Sequence, residues 1–202
     1  MKETPIFEKI FMRLLRQPRI VTSVVIGSVL AFIPIANLFA FGYLYRFAAI
    51  IHRSSALSLP EWSDWQGLFF DGLRFAVIWL AFWFMPVALG WLVATGFNQV
   101  GLSVIAYPLL SMVFVVASLL FCAALYRFQS RGDFTDLRDV TLIWRMATFD
   151  WKSYIIPVLV VLGIIAFAKP LYGVVFFTGF LILIAYTSLS YQAIEQRFFK
   201  SR

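Results

Sequence analysis

What this chain lacks most is charge. Asp, Glu, Lys and Arg make up 13% of it against 62% hydrophobic residues, whereas soluble domains run at about a quarter charged and half apolar. That balance excludes an ordinary soluble domain and leaves a polytopic membrane protein. A single cysteine, Cys122, rules out an intrachain disulfide and a paired-cysteine metal site, and within its apolar run it reads as a small apolar side chain. A single histidine, His52, rules out a histidine-pair site. HExxH, Cys-x-x-Cys and Gly-rich phosphate loops are missing, and no acid interrupts an apolar run, so a hydrolase or proton-coupled carrier has little to work with. No cofactor is expected.

What is present is organised around Phe75 to Tyr126, which contains no Asp, Glu, Lys or Arg. A crossing needs about 20 apolar residues, so this run holds two, Phe75 to Phe97 and Leu102 to Tyr126, turning near Gly96, Asn98, Gln99 and Gly101. A last hairpin pairs Tyr154 to Ala168 with Leu171 to Ala193 around Lys169-Pro170. Ile20 to Tyr45, also uncharged, is either one crossing kinked at Pro34 or two short legs turning between Pro34 and Asn37. Two legs put all 10 acids, and every Lys and Arg except Lys169, on one side; one crossing scatters basic clusters over both sides, against the positive-inside tendency. At 1.5 Å per residue Ile20 to Ile33 covers only about 21 Å of a core near 30 Å, a shortfall that a re-entrant hairpin removes.

The expected fold is an all-α integral membrane protein with about six membrane segments in three helical hairpins, the first crossing or re-entrant, plus interfacial amphipathic helices. It is read as one polytopic domain, with sections 1–57, 58–133 and 134–202, in the cytoplasmic (inner) membrane with both termini cytoplasmic. The first amphipathic helix has Phe7, Ile10, Phe11, Leu14 and Leu15 on one face and Lys9, Arg13 and Arg16 on the other, ending at Pro18; Pro34 interrupts the following run and argues against a secretory signal. The second spans 58–73, started by a capping box of Ser58 with Glu61 or Ser63 with Gln66. It carries Trp62, Trp65, Phe69 and Leu73 inward and Asp64 and Asp71 in water. The third spans 134–151 with Leu137, Val140, Trp144, Ala147 and Trp151 in a stripe. Leu-Tyr-Arg-Phe occurs at Arg46 and again at Arg127, which suggests a threefold repeat of amphipathic helix and hairpin.

The order Ile33-Pro34-Ile-Ala-Asn37, Gly42-Tyr43-Leu-Tyr-Arg46, Leu59-Pro60-Glu-Trp62-Ser-Asp64-Trp65 and Asp71-Gly72-Leu73 resembles a family of bacterial and archaeal multi-pass membrane proteins, domain of unknown function four-zero-one-three. The resemblance is clearest over residues 30 to 90. It implies a multi-pass helical fold and brings no activity with it.

Candidate functional residues are few. Pro60, Trp62, Asp64, Trp65, Asp71 and His52 form the candidate interaction surface; with Glu61, the acids are either a solvated face or a site for a cation or partner. His52 is a polar surface residue or a pH-sensing, phosphate-contacting one. Pro34, Pro86, Pro108 and Pro157 break helices, shaping a bundle or freeing carbonyls for a ligand. Gly90, Gly96, Gly173 and Gly179 read as close helix contacts. The net charge of +7 comes from cations scattered between helices, not from a basic nucleic-acid face; the expected partners are membrane lipids, another membrane protein or a second copy. A non-enzymatic scaffold, accessory subunit or lipid-interacting module is the first expectation. A small carrier or channel is the second, and an interfacial lipid enzyme using His52 and the three acids is the third.

Overall fold

A computed structural model describes residues 7–149 and 172–200, and among these the regular structure is helical throughout. Three helical stretches, Trp65–Gln99, Ser103–Ser130 and Gly173–Ala193, are long and apolar enough to cross a membrane. Pro157, Lys169-Pro170 and the Tyr154 to Ala168 leg lie outside the described residues. The chain divides into two compact units, residues 1–76 with 152–202, and residues 77–151.

The first unit contains α1 (Phe7–Leu15), α2 (Ile20–Phe32), α3 (Asn37–Ser54), most of α4 (Trp65–Trp79) and α8 (Tyr172–Lys200). On α1, Ile10 and Leu14 are buried, but Leu15 is exposed, so its seam is narrower than the sequence stripe. The Phe7 ring sits edge-on to Tyr186 of α8. A 90° bend at Pro18 leads into α2. Pro34 then stands in a four-residue turn between α2 and α3, so the chain doubles back; a single kinked helix over Ile20 to Tyr45 is excluded. Small residues let these helices approach closely, as inside membranes where apolar burial drives nothing. A side chain at Gly27 would collide with the Phe177 ring, and one at Gly173 would meet Phe32 and the Ser28 carbonyl at 2.5 to 2.6 Å. α3 is buried nearly all round, from Ala40 to Ile51.

α4 corrects the expected interfacial helix over 58–73. Residues 55–64 are irregular, and a helix beginning only at Trp65 runs on without interruption to Gln99. Its buried line is Leu68, Gly72, Phe75 and Ile78, while Trp65 and Leu73 of the expected stripe are exposed. The reason is the crossing with α3: a Cβ on Gly42 would strike the Leu68 carbonyl, and one on Gly72 the Leu38 carbonyl. Only the Gly72 face of α4 lets the two backbones touch, and that contact fixes the rotation of the helix.

The second unit holds the end of α4, a π-helical turn (Leu80–Phe84), α5 (Met85–Gln99), α6 (Ser103–Arg131), a 3₁₀ turn (Phe134–Arg138) and α7 (Val140–Phe149). α5 and α6 form the expected hairpin, with Gly101 at φ 79° in the turn and Gly90 against Val113. Gly96 faces open space, so it makes no helix contact. Pro108 lies inside α6, which continues through it. The expected helix over 134–151 is split, because the Asp139 carboxylate accepts the Leu142 N–H and restarts the chain as α7. α7 buries Ile143 and Ala147, and leaves Val140 and Trp144 exposed, which moves the expected stripe by about one position.

Candidate functional site

Two of the residues singled out, Asp64 and Asp71, converge on one side chain, Arg46. Asp64 caps the start of α4, its Oδ1 accepting the Gly67 N–H at 3.1 Å; neither capping box expected from Ser58 or Ser63 is what starts this helix. Seven residues on, two turns along the same face, comes Asp71. The Arg46 guanidinium spans both, Nε donating to Asp71 Oδ2 and Nη2 to Asp64 Oδ2, each at 2.8 Å. Arg46 Nη1 also donates to the Ser63 carbonyl at 3.4 Å, and Arg74 Nη1 to Asp71 Oδ1 at 2.9 Å. A side chain at Gly67 would collide with Asp64 Oδ2 and Arg46 Nη2, so the glycine opens the path that the guanidinium takes over the helix start.

This geometry sets the electrostatics. Two arginines and two aspartates cancel, and the segment's third acid, Glu61, pairs with Arg19. Hydrogen bonding to Arg46, aided by the Gly67 N–H, holds the Asp64 carboxyl below the usual carboxylate range. Asp71, expected in water, has a side chain only 16% exposed, which is tolerable because both of its oxygens accept from guanidinium groups. The cluster is a neutral clamp and presents no uncompensated acid to a cation.

Aromatic packing fastens the preceding loop to the same place. Trp62 stacks on Tyr43 with centroids 4.2 Å apart, and the Tyr43 hydroxyl donates to Ser23 Oγ of α2 at 2.8 Å. Trp65 meets Phe39 edge-on at 5.5 Å. Pro60 is buried and Trp62 half-buried, whereas Asp64 and Trp65 are exposed. Of the six residues expected on an interaction surface, four, Trp62, Asp64, Trp65 and Asp71, are engaged with side chains of α3, and Pro60 is buried.

His52 lies in the last turn of α3. It lies six residues, about 9 Å of helix, beyond Arg46. Burial pushes its pKa down, with Glu195 opposing and Arg53 assisting. Gln192 of α8 donates through Nε2 to the carbonyls of Ile51 and His52, both at 2.7 Å, closing the exposed end of α3.

Sequence reasoning missed Arg46 as a hub, Gln192 as a cap, and the π turn. The first had a signal: Asp64 and Asp71 fall on one helix face at a spacing of seven, downstream of an arginine that ends an uncharged run. The π turn had half of one, in Pro86. Ahead of that proline the ladder widens, Met85 N–H donating to Leu80 O instead of to the residue four back, and Trp79 and Trp83 stack at 5.3 Å. Trp83 Nε1 donates to Ser118 Oγ at 3.1 Å and pins the turn to α6. Among the described residues, no group of three His, Cys, Asp or Glu is placed to hold a metal ion.

A family model described as "Protein of unknown function (DUF4013)" matches residues 26–186. No curated protein and no solved structure matches the chain.

Proposed function

Since this chain belongs to the DUF4013 family of proteins of unknown function, whose matched region includes the whole Arg46 clamp, we propose that it is a non-enzymatic multi-pass membrane protein acting as a scaffold, accessory subunit or lipid-interacting module. The observation that carries the reading is the use made of its most distinctive residues. Arg46, Asp64 and Asp71 are spent on one another, Gly42 and Gly72 on the crossing of α3 and α4, and Trp62 on Tyr43, so the chemistry of the chain goes into its own architecture. The surface left outward is apolar: Val77, Leu80, Phe84, Met85, Leu89, Trp91, Leu92 and Val93 are all exposed, as suits lipid or another membrane helix.

The topology that goes with it is three hairpins in the inner membrane, both termini cytoplasmic and the first hairpin re-entrant. Arg19 pairs with Glu61 and Arg46 with Asp64. Residues 61 and 64 are at most about 11 Å apart along an extended chain, so the two mouths of the α2–α3 hairpin open at one level. A small carrier or channel is a second reading, favoured by the π turn before Pro86, because such breaks occur at functional sites in helices.

The deciding experiment is co-purification of the full chain in mild detergent with mass spectrometry of what accompanies it. A stoichiometric protein or lipid supports the first reading. Protein that emerges alone, and that conducts a solute into liposomes, overturns it in favour of the second.

A further inference from the structure

The chain contains Leu-Tyr-Arg-Phe twice, and the two arginines meet opposite circumstances. Arg46 is held by two carboxylates. Arg127 occupies the matching place near the end of α6, between buried Tyr126 and Phe128, and its Nε is buried without a hydrogen-bond partner. The acids nearest in sequence whose side chains are described make their hydrogen bonds to backbone and not to Arg127: Asp133 Oδ1 accepts from the Thr135 N–H at 2.9 Å, and Asp139 Oδ1 from the Leu142 N–H at 3.0 Å. A partly buried guanidinium with no anion beside it among the described side chains is costly unless something outside supplies one. We propose that Arg127 binds a phosphate oxyanion, that of a phospholipid headgroup.

Three features point to that ligand. Arg127 lies three residues before the end of Ser103–Ser130, a stretch long and apolar enough to span a bilayer, which is the depth at which headgroup phosphates sit. The guanidinium fork matches two phosphate oxygens. Phe134, packed on Phe128 with centroids 4.5 Å apart, stays 44% exposed and offers an apolar surface beside the charge for the start of an acyl chain. A soluble anion would gain the first contact and not the second.

This inference rests on the membrane reading above, so the test separates the two. Full-length protein is taken from carbonate-washed membranes, and its bound phosphatidylglycerol is counted by native mass spectrometry after titration in mild detergent. Arg127→Gln lowers lipid occupancy about tenfold, the loss of one charge-assisted bidentate contact. Arg127→Lys, which keeps the charge and loses the fork, falls between, and Arg53→Gln, on the exposed end of α3, leaves occupancy unchanged. If Arg127→Gln elutes as aggregate, the Lys variant alone decides: occupancy equal to wild type overturns the inference. So does a well-folded Gln variant that keeps its lipid. Inorganic phosphate that binds lipid-free protein with the same dependence on Arg127 assigns the site to free phosphate and overturns the headgroup. Release of the protein by carbonate defeats the membrane reading instead.

Discussion

Changing Gly72 to alanine adds one methyl group to a 202-residue chain, and the structure says where it goes. Its Cβ would strike the Leu38 carbonyl and lie 3.2 Å from the Gly42 nitrogen. Overpacking costs about 1 to 3 kcal/mol where neighbouring side chains can yield. Here both obstacles are backbone, and α3 and α4 must move apart, so the upper figure, about 3 kcal/mol, applies. At roughly 2 to 4 °C per kcal/mol for a chain of this length, the midpoint falls by about 6 to 12 °C. Gly96→Ala is the matched control on the same continuous helix. With nothing within 4 Å of the added methyl, only helix propensity acts, worth up to about 1 kcal/mol in alanine's favour, and the midpoint holds or rises by a few degrees. Fluorescence-detected size-exclusion chromatography of heated detergent extracts measures both. Equal midpoints for the two variants would show that the α3–α4 crossing is not set by glycine contact.

Three further outcomes follow from the clamp, the histidine and the π turn. Arg46→Lys keeps the charge but replaces two separately placed nitrogens, Nε and Nη2, with a single ammonium, so it costs about 1 to 2 kcal/mol; an Arg46/Asp71 double-mutant cycle in the same thermal assay reports the coupling, and additive effects would refute it. Burial lowers the pKa of folded His52, so the unfolded chain binds the proton more readily. The His52 contribution is then complete above pH about 6.5 and is lost as pH falls below it toward the lower folded value, giving a midpoint that drops between pH 7.5 and 5.5 in wild type and drops less in His52→Gln. Pro86→Ala restores an N–H, letting the ladder return to ordinary α spacing; the geometry of the Trp79–Trp83 stack then changes, and with it the near-ultraviolet circular dichroism of the tryptophans. An unchanged spectrum would place the cause of the π turn elsewhere than Pro86.

Helical class, the central hairpin and its turn were legible in the sequence because each depends on a count: runs without charge long enough to cross, broken by Asn98, Gln99 and Gly101. Faces were less legible. The stripe over 58–73 named Trp62, Trp65, Phe69 and Leu73, all large and apolar, yet the face that packs carries Gly72, a residue with no hydrophobicity to detect. In a membrane protein the inward face is chosen by how near two backbones can come, and the largest side chains are as much at home in lipid. The clamp was hidden for a related reason. Asp64 and Asp71 read as solvated because acids usually are, and only the close crossing of α3 and α4 at Gly42 and Gly72 brings Arg46 within reach of them.

The doubling back of α2 and α3 makes the turn at Pro34 the place to test the proposed re-entrant topology. α2 has 13 residues, about 20 Å of helix, less than a hydrocarbon core near 30 Å thick, so in the proposed re-entrant topology its far end stays inside that core. A turn left at that depth must satisfy its own backbone, and this one does so in large part: Ile33, Ile35 and Ala36 carbonyls accept the N–H groups of Asn37, Leu38 and Phe39 at 3.0 to 3.1 Å. Its outward side chains are apolar, with Ile35 75% exposed and Phe32 and Ile33 about half, whereas the α5–α6 turn presents exposed Asn98 and Gln99. One tip suits lipid and the other suits water. In a Cys122→Ala background, Ile35→Cys therefore resists a membrane-impermeant maleimide in both right-side-out and inverted vesicles, while Gln99→Cys reacts from one side only. Labelling of Ile35→Cys from the side that labels Gln99→Cys would mean a full crossing, and labelling from the other side a surface loop; either would refute the re-entrant hairpin.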